Sequence, residues 1–251
     1  MSHIRRAIAK IGRNRSFPRR LPAELGGARF YGSTEGGLKF LRRDLASIDP
    51  SLTNFALTHV KSGHSVWDIG ANLGLFTFVA AGLAGPTGNV LAVEPDTWLV
   101  GNLRRAVLAN KGKIADVIVL PVAVSLDVGI ASFFIANQSR ACNALDGHGN
   151  STTGGVRERQ HVPTVSLDSL LDHFPQPQVV KVDVEHAELD LLRGAKRILT
   201  RIRPVILIEV SPDNQDAITE IFVGADYHMF DGEVGGEVNR ATWTTIAIPG
   251  L

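Results

Sequence analysis

The sequence predicts an α/β domain built on a doubly wound, mostly parallel sheet of the Rossmann-like kind. Three stretches carry that expectation. The first is Ser65-Val-Trp-Asp-Ile-Gly-Ala-Asn-Leu-Gly-Leu-Phe-Thr-Phe-Val79, which reads as an apolar strand, a glycine turn and a helix start. The second is Asn89-Val-Leu-Ala-Val-Glu94, a strand at βαβ distance from the first that ends in an acid. The third is Val179-Val-Lys-Val-Asp-Val-Glu-His-Ala-Glu188, a strand followed by a helical segment, with Asp183, Glu185 and His186 at the junction.

A chain of 251 residues with 44% hydrophobic content can bury a full core. It divides into a basic arm and connector (residues 1–34) and one domain (35–251). Lys plus Arg number 26 against 25 for Asp plus Glu, which gives no argument for a nucleic-acid partner. Cys142 is alone, so no internal disulfide forms, and a reducing compartment is expected. No apolar run approaches the roughly 18 residues a membrane span needs. The start Met1-Ser-His-Ile-Arg-Arg lacks the apolar region of a secretory signal, so the expected location is cytoplasmic.

Arg5, Arg6, Lys10, Arg13, Arg15, Arg19 and Arg20 precede the first acid, Glu24. Ile4, Ile8 and Ile11 have helical spacing, which suits a weak contact with an anionic membrane surface, although a solvated tail is the favoured reading. Pro18 and Pro22 bound a connector, and Gly26 to Gly32 reads as a hairpin or extended segment. A helix is expected near Leu38 to Ala46. Asp49-Pro50 supplies an N-cap and a proline at the first helical position, opening a helix through about His59. In the first diagnostic stretch, Gly70 permits a sharp turn and Asn72 reads as the cap of the next helix. The anionic end of a ligand would face free backbone N–H groups there.

Glu94, at the tip of the second strand, suits both hydroxyls of a ribose, the role an acid plays there in nucleoside-cofactor sites. Pro95-Asp96 opens a helix through about Asn110. Val117 to Val122 is a third strand leading into Ala123-Val-Ser125. Gly129 to Ile135 reads as an extra strand. The Gly-, Asn- and Ser-rich run from Asn137 to Gly155, with Arg140, Asn143 and His148, is either a substrate loop or lid, or a disordered surface loop. A helical segment is expected from Glu185 to Leu199, with Leu189, Leu192, Ala195 and Ile198 at helical spacing. Pro204 to Val210 is a fifth strand and Pro212 starts a helix through about Val223. Asp226 to Phe230 and Thr242 to Ile248 close the sheet across a link rich in Gly232, Gly235 and Gly236.

The glycine spacing narrows the ligand. A dinucleotide fingerprint needs glycine at its third and sixth positions, where this chain has Asn72 and Leu75. Asp68-x-Gly70-x-Asn72-x-Gly74 instead resembles the first motif of Rossmann-like S-adenosylmethionine methyltransferases. In that reading Gly70, Ala71, Asn72 and Gly74 form the cofactor turn and Asp68 accepts from the cofactor's ammonium group.

Taken together, Asp68-Ile-Gly-Ala-Asn-Leu-Gly74, Val93-Glu-Pro95, Pro121-Val-Ala-Val-Ser125, Ser166-Leu-Asp168, Lys181-Val-Asp-Val-Glu185 with Ala187-Glu188, and Arg203-Pro-Val-Ile-Leu-Ile-Glu-Val210 resemble the FkbM family of S-adenosylmethionine-dependent methyltransferases over roughly residues 60–248. The resemblance implies a class I methyltransferase fold, a seven-stranded sheet with one antiparallel closing strand. It implies O-methylation of a hydroxyl on a sugar, glycolipid or polyketide-like small molecule, with S-adenosylmethionine as cofactor. Glu94, Pro95, Ala123, Val124 and Asp183 would join the cofactor site, with Ala123 and Val124 at the adenine. The family usually has glycine where this chain has His186. Asp183, Glu185 and His186 are the candidate catalytic groups, since a hydroxyl acceptor needs a base in reach. These three groups are too few for a metal centre, and none is expected. The rival readings are a non-catalytic nucleotide-binding protein and an NAD-dependent oxidoreductase.

Overall fold

The computed structural model describes residues 13–148 and 155–250. Arg5, Arg6, Lys10 and the Ile4, Ile8, Ile11 spacing lie outside the described residues, as do residues 149–154 of the loop. Strands β1 (Phe17–Arg20) and β2 (Arg29–Gly32) pair as an antiparallel hairpin. After the helix Pro50–His59 come β3 (Ser65–Ile69), the helix Leu75–Ala84, β4 (Asn89–Val93), the helix Thr97–Asn110 and β5 (Asp116–Leu120). Next are β6 (Ala123–Val124), β7 (Gly129–Ala136), β8 (Ala144–Leu145) and β9 (Val156–Val165), which make a separate sheet in the order β6-β9-β7-β8. The main sheet resumes with β10 (Val179–Val182), β11 (Val205–Glu209), β12 (Tyr227–Asp231), β13 (Glu237–Val238) and β14 (Thr244–Pro249).

Among the described residues the main sheet has eight strands in the order β13-β12-β14-β11-β10-β3-β4-β5. Strands β11, β10, β3, β4 and β5 are parallel, and β14 runs antiparallel between β11 and β12. Seven of the eight are the sheet that the family resemblance implies. The eighth is β13, which uses the glycine-rich link to pair Val238 and Glu237 with Met229 and Phe230.

Side-chain alternation along each strand sorts the core into two faces. Val66, Val90, Val179 and Leu207 pack with Phe55, Phe76 and Phe78 on one side. Trp67, Ile69, Leu91, Val180 and Ile206 pack with Leu191, Ile198 and Phe222 on the other. Trp67 is fully buried, and its indole N–H donates to the Pro175 carbonyl at 3.1 Å. The β1–β2 hairpin adds Leu21, Leu25, Ala28 and Phe30 to the first face. From Leu21 onward, residues of the connector expected over 1–34 thus contribute side chains to this core.

Asp49 caps the Pro50–His59 helix by accepting from Leu52 N–H, and Asp96 caps Thr97–Asn110 by accepting from Trp98 and Leu99 N–H. Three local expectations change. Leu38–Leu41 is a single 3-10 turn instead of a helix to Ala46. The Arg19 guanidinium binds the carbonyls of Phe40, Arg42 and Arg43, taking acceptors that a helix would need. Asn72 does not cap the next helix. Its φ is +53°, its Oδ1 accepts from Leu73 N–H, and left-handed Gly74 stands at the cap. The helical run expected from Glu185 to Leu199 breaks into Glu188–Arg193 and a π-turn at Ile198–Ile202. At Gly194 a Cβ would lie 2.8 Å from the Leu126 carbonyl, and Asp168 caps the second piece by accepting from Arg197 and Ile198 N–H.

Candidate active site

Four of the five parallel strands carry an acid at one edge of the sheet: Asp68 in β3, Glu94 after β4, Asp183 after β10 and Glu209 in β11. This is the carboxyl edge, where open α/β sheets bind ligands. Parity places Asp68, Lys181, Asp183 and Glu209 on the same face of the sheet, with Lys181 directly opposite Asp68 in register.

Lys181 is the electrostatic centre of that edge. It is 5% exposed; its Nζ lies 3.2 Å from Asp68 Oδ1 and 3.6 Å from Asp183 Oδ2, and donates to the Gly70 carbonyl at 2.7 Å. Burial opposes its charge, but Asp68, Asp183 and Glu209 outweigh burial and hold it above the ordinary lysine value. Asp68 is fully buried, and its second oxygen accepts from Thr77 Oγ1 at 2.5 Å. Gly70 (φ +76°) crosses close to β10: a Cβ there would sit 1.9 Å from the Asp183 carbonyl oxygen, so only glycine fits.

One cavity opens between the Gly70 turn and the β6–β9 sheet. Gly70, Asn72, Glu94 and Pro95 line its polar side. Val122, Ala123, Val124, Phe133 and Leu145 form an apolar slot. Glu94 is buried, accepts from Asn72 N–H at 2.8 Å and Asp96 N–H at 2.9 Å, and is pushed up to about 8, chiefly by burial. The N–H groups of Gly70, Ala71, Asn72, Leu73 and Gly74 all have acceptors within the protein. The anion seat expected at this turn is therefore already satisfied internally.

The segment 137–148 forms a wall of this cavity through Arg140, Ala141, Asn143, Ala144 and Leu145. The fully buried Asp96 carboxylate takes both Arg140 and, at 2.9 Å, Asn143 Nδ2. Arg140 Nε also lies 3.6 Å from Glu35, which Arg157 grips with two bonds of 3.1 and 3.0 Å. His148 lies outside the wall, with Nδ1 3.1 Å from the His186 carbonyl and Nε2 3.5 Å from Asp190.

A second cavity adjoins the first and shares Asn72, Ala141, Asp183 and Glu185 with it. Ala71, Lys39, Phe40, Asp49, Lys181 and Glu209 add to its lining. Glu185 is pushed up to about 7 by burial first, then by Asp183 and Glu188. Glu209 is pushed up to about 8 by the Asp183 charge first and burial second.

The structure therefore brings Gly70, Ala71, Asn72, Glu94, Pro95, Ala123, Val124, Asp183 and Glu185 to the two cavities. Asp68, Gly74 and His186 line neither. Asp68 acts through Lys181, and a Cβ on Gly74 would strike Phe78 and Leu103. His186 is half-buried at φ +61°, its N–H donates to Glu188, and its left-handed backbone accounts for the glycine usual at this place in the family. Lys181, Glu209, Arg140 and Asn143 join the set of candidate site residues. The signal for the first two was a charged residue inside or ending an otherwise apolar strand.

Glu209 supplies a stability test. Its folded value lies above the ordinary 4.5, so the fold favours the neutral acid. That contribution is complete below about 4.5 and is lost as pH rises towards 8. Glu209→Gln should match the wild type in thermal unfolding near pH 4.5 and exceed it near pH 8.5. Equal curves at both pH values would remove the assigned strain.

The chain can now be set against known proteins. Residues 68–231 match the methyltransferase FkbM domain model. The hexuronic acid methyltransferase AglP of Haloferax volcanii is 31% identical over 177 residues, covering 69% of this chain and 67% of that protein. The solved methyltransferase FkbM from Methylobacillus flagellatus aligns at 15% identity and a TM-score of 0.49 over 78% of this chain, and this chain spans only 52% of it. Aeropyrum pernix fibrillarin with natively bound S-adenosyl-L-methionine aligns at 13% identity and a TM-score of 0.44, over 76% of this chain and 68% of that one. The family cofactor is S-adenosylmethionine. The buried Glu94 carboxyl beside an apolar slot fits its ribose and adenine, and the Asp183 carboxylate at the cavity junction fits its cationic end. The chain belongs to the FkbM methyltransferase family.

Proposed function

We propose that this chain is an S-adenosylmethionine-dependent O-methyltransferase acting on a hydroxyl of a sugar, or of a glycolipid or polyketide-like molecule. The observation that carries the reading is the meeting of two cavities at Asn72, Ala141, Asp183 and Glu185. One cavity has the ribose acid and adenine slot, and the other is free for an acceptor. Bound in the first, the cofactor supplies an electrophilic methyl group on a cationic sulfur. Glu185 takes the acceptor hydroxyl proton, because it lines both cavities and its carboxyl is poised near neutrality. Asp183 supplies negative charge at the junction, and Lys181 fixes its position. His186 lines neither cavity, so Glu185 is the preferred base.

A sugar acceptor draws support from the hexuronic acid methyltransferase relative. In this chain Asp49, Asp183, Glu185 and Glu209 line the acceptor cavity, while Lys39 is 3.4 Å from Asp49 and Lys181 is shared between Asp68 and Asp183. That field favours a neutral sugar hydroxyl over a free uronate. A cytoplasmic setting accords with the single unpaired cysteine.

Calorimetric titration with S-adenosylmethionine, S-adenosylhomocysteine and NAD tests the cofactor assignment. The first two should bind and NAD should not. Glu94→Ala should weaken S-adenosylmethionine about thirtyfold, the cost of the lost ribose hydrogen bonds and a freed turn. Binding of NAD alone would overturn the reading.

A further inference from the structure

We infer that Trp243 forms the platform of a second sugar subsite, so that the acceptor is a chain of at least two rings. This rests on the sugar-acceptor reading above. A third cavity adjoins the acceptor cavity and shares Asp49, Leu52, Lys181 and Glu209 with it. Its outer lining includes Trp243 and Glu233. The space for an acceptor therefore continues from the methyl-transfer junction, past Glu209, to an indole.

Trp243 differs from the other tryptophans of the chain. Trp67 is fully buried and Trp98 lies partly buried beneath the Arg140 guanidinium, whereas Trp243 is 49% exposed. Its backbone is nonetheless fixed at the ligand edge of the sheet. The Trp243 carbonyl accepts from Val210 N–H at 2.7 Å. Next to it, Thr242 N–H donates to Thr245 Oγ1 at 2.8 Å, and Thr242 Oγ1 donates to the Thr244 carbonyl at 2.9 Å. An exposed indole on a rigid backbone costs little ordering when a flat partner docks. A pyranose has such a face, a patch of C–H groups ringed by hydroxyls. Carboxyl groups bond such hydroxyls as acceptors and, when protonated, as donors, and Glu209 and Glu233 line the same cavity. The methylated ring occupies the junction at Asp183 and Glu185, and the next ring lies on Trp243.

The test compares purified wild-type protein with Trp243→Ala and Trp243→Phe. Release of S-adenosylhomocysteine is measured with methyl glycosides of glucose, galactose and mannose, and with cellobiose, lactose and mannobiose. Disaccharides should show KM about tenfold below the matching monosaccharides, with similar kcat. Trp243→Ala should erase that preference by raising only the disaccharide KM, and Trp243→Phe, which keeps a ring, should retain most of it. Unchanged thermal unfolding of both variants separates a subsite effect from misfolding. Equal KM for the two acceptor sizes, or a Trp243→Ala loss that falls on both alike, would overturn the subsite while leaving the sugar reading standing. No turnover of any saccharide by a protein that still binds S-adenosylmethionine would overturn the sugar reading, and the subsite with it.

Discussion

Replacing Lys181 by methionine is expected to destabilise the protein by about 3–5 kcal/mol, the usual cost of leaving one half of a buried ion pair alone. Asp68 is 0% exposed, so no water replaces the lost ammonium. The remaining partner, Thr77, provides one hydrogen bond to Asp68 Oδ2. The Gly70 carbonyl loses its 2.7 Å bond at the same time, so the cofactor turn loosens with the core. For a domain of this size the penalty corresponds to a fall in Tm of roughly 10 °C. The decisive comparison is the double variant Asp68→Asn with Lys181→Met. Removing both charges leaves no unpaired ion at position 68, so the double variant should recover most of the stability in urea unfolding. If the single and double variants lose the same amount, the charge pairing of Asp68 and Lys181 is not what stabilises this edge.

The same ion pair shows what the sequence discloses and what it hides. Strand positions follow from local apolar runs, and the helix starts at Asp49 and Asp96 follow from capping chemistry. Both depend on residues within four positions of each other, and both appear in the structure. The departures come from distant partners. Arg19 reaches carbonyls more than twenty positions away and prevents a helix at Leu38 to Ala46. Gly194 must pass the Ser125 and Leu126 carbonyls, which breaks the helical run after Glu185. Within the site, Glu94, Asp183 and Glu185 are legible as acids at strand ends. Arg140 and Asn143 are legible only as members of a candidate substrate loop; their closing on Asp96 is not, because the segment lacks periodicity and Asp96 reads in sequence only as a helix cap. Lys181 is legible by its place: a lysine between valines in a central strand must be paired.

Replacing Glu185 by glutamine should lower kcat by about 10²–10⁴-fold, the range for loss of a general base. S-adenosylmethionine affinity should stay within about twofold, since the ribose acid and apolar slot are untouched. In the wild type the base must be ionised to work, so log kcat should rise with pH and level off above about 7, where the Glu185 carboxyl ionises. The glutamine variant should lose that limb. Asp183→Asn gives the cross-check. The Asp183 charge helps push Glu185 upward, so its removal should move the limb of any residual activity to lower pH. A histidine base would shift the same way, because losing a nearby carboxylate disfavours the imidazolium, so the two are told apart by the substitution that abolishes the limb: Glu185→Gln for the carboxylate base, a His186 change for the imidazole. Undiminished kcat in Glu185→Gln would transfer the role to Asp183, the other carboxylate that lines both cavities.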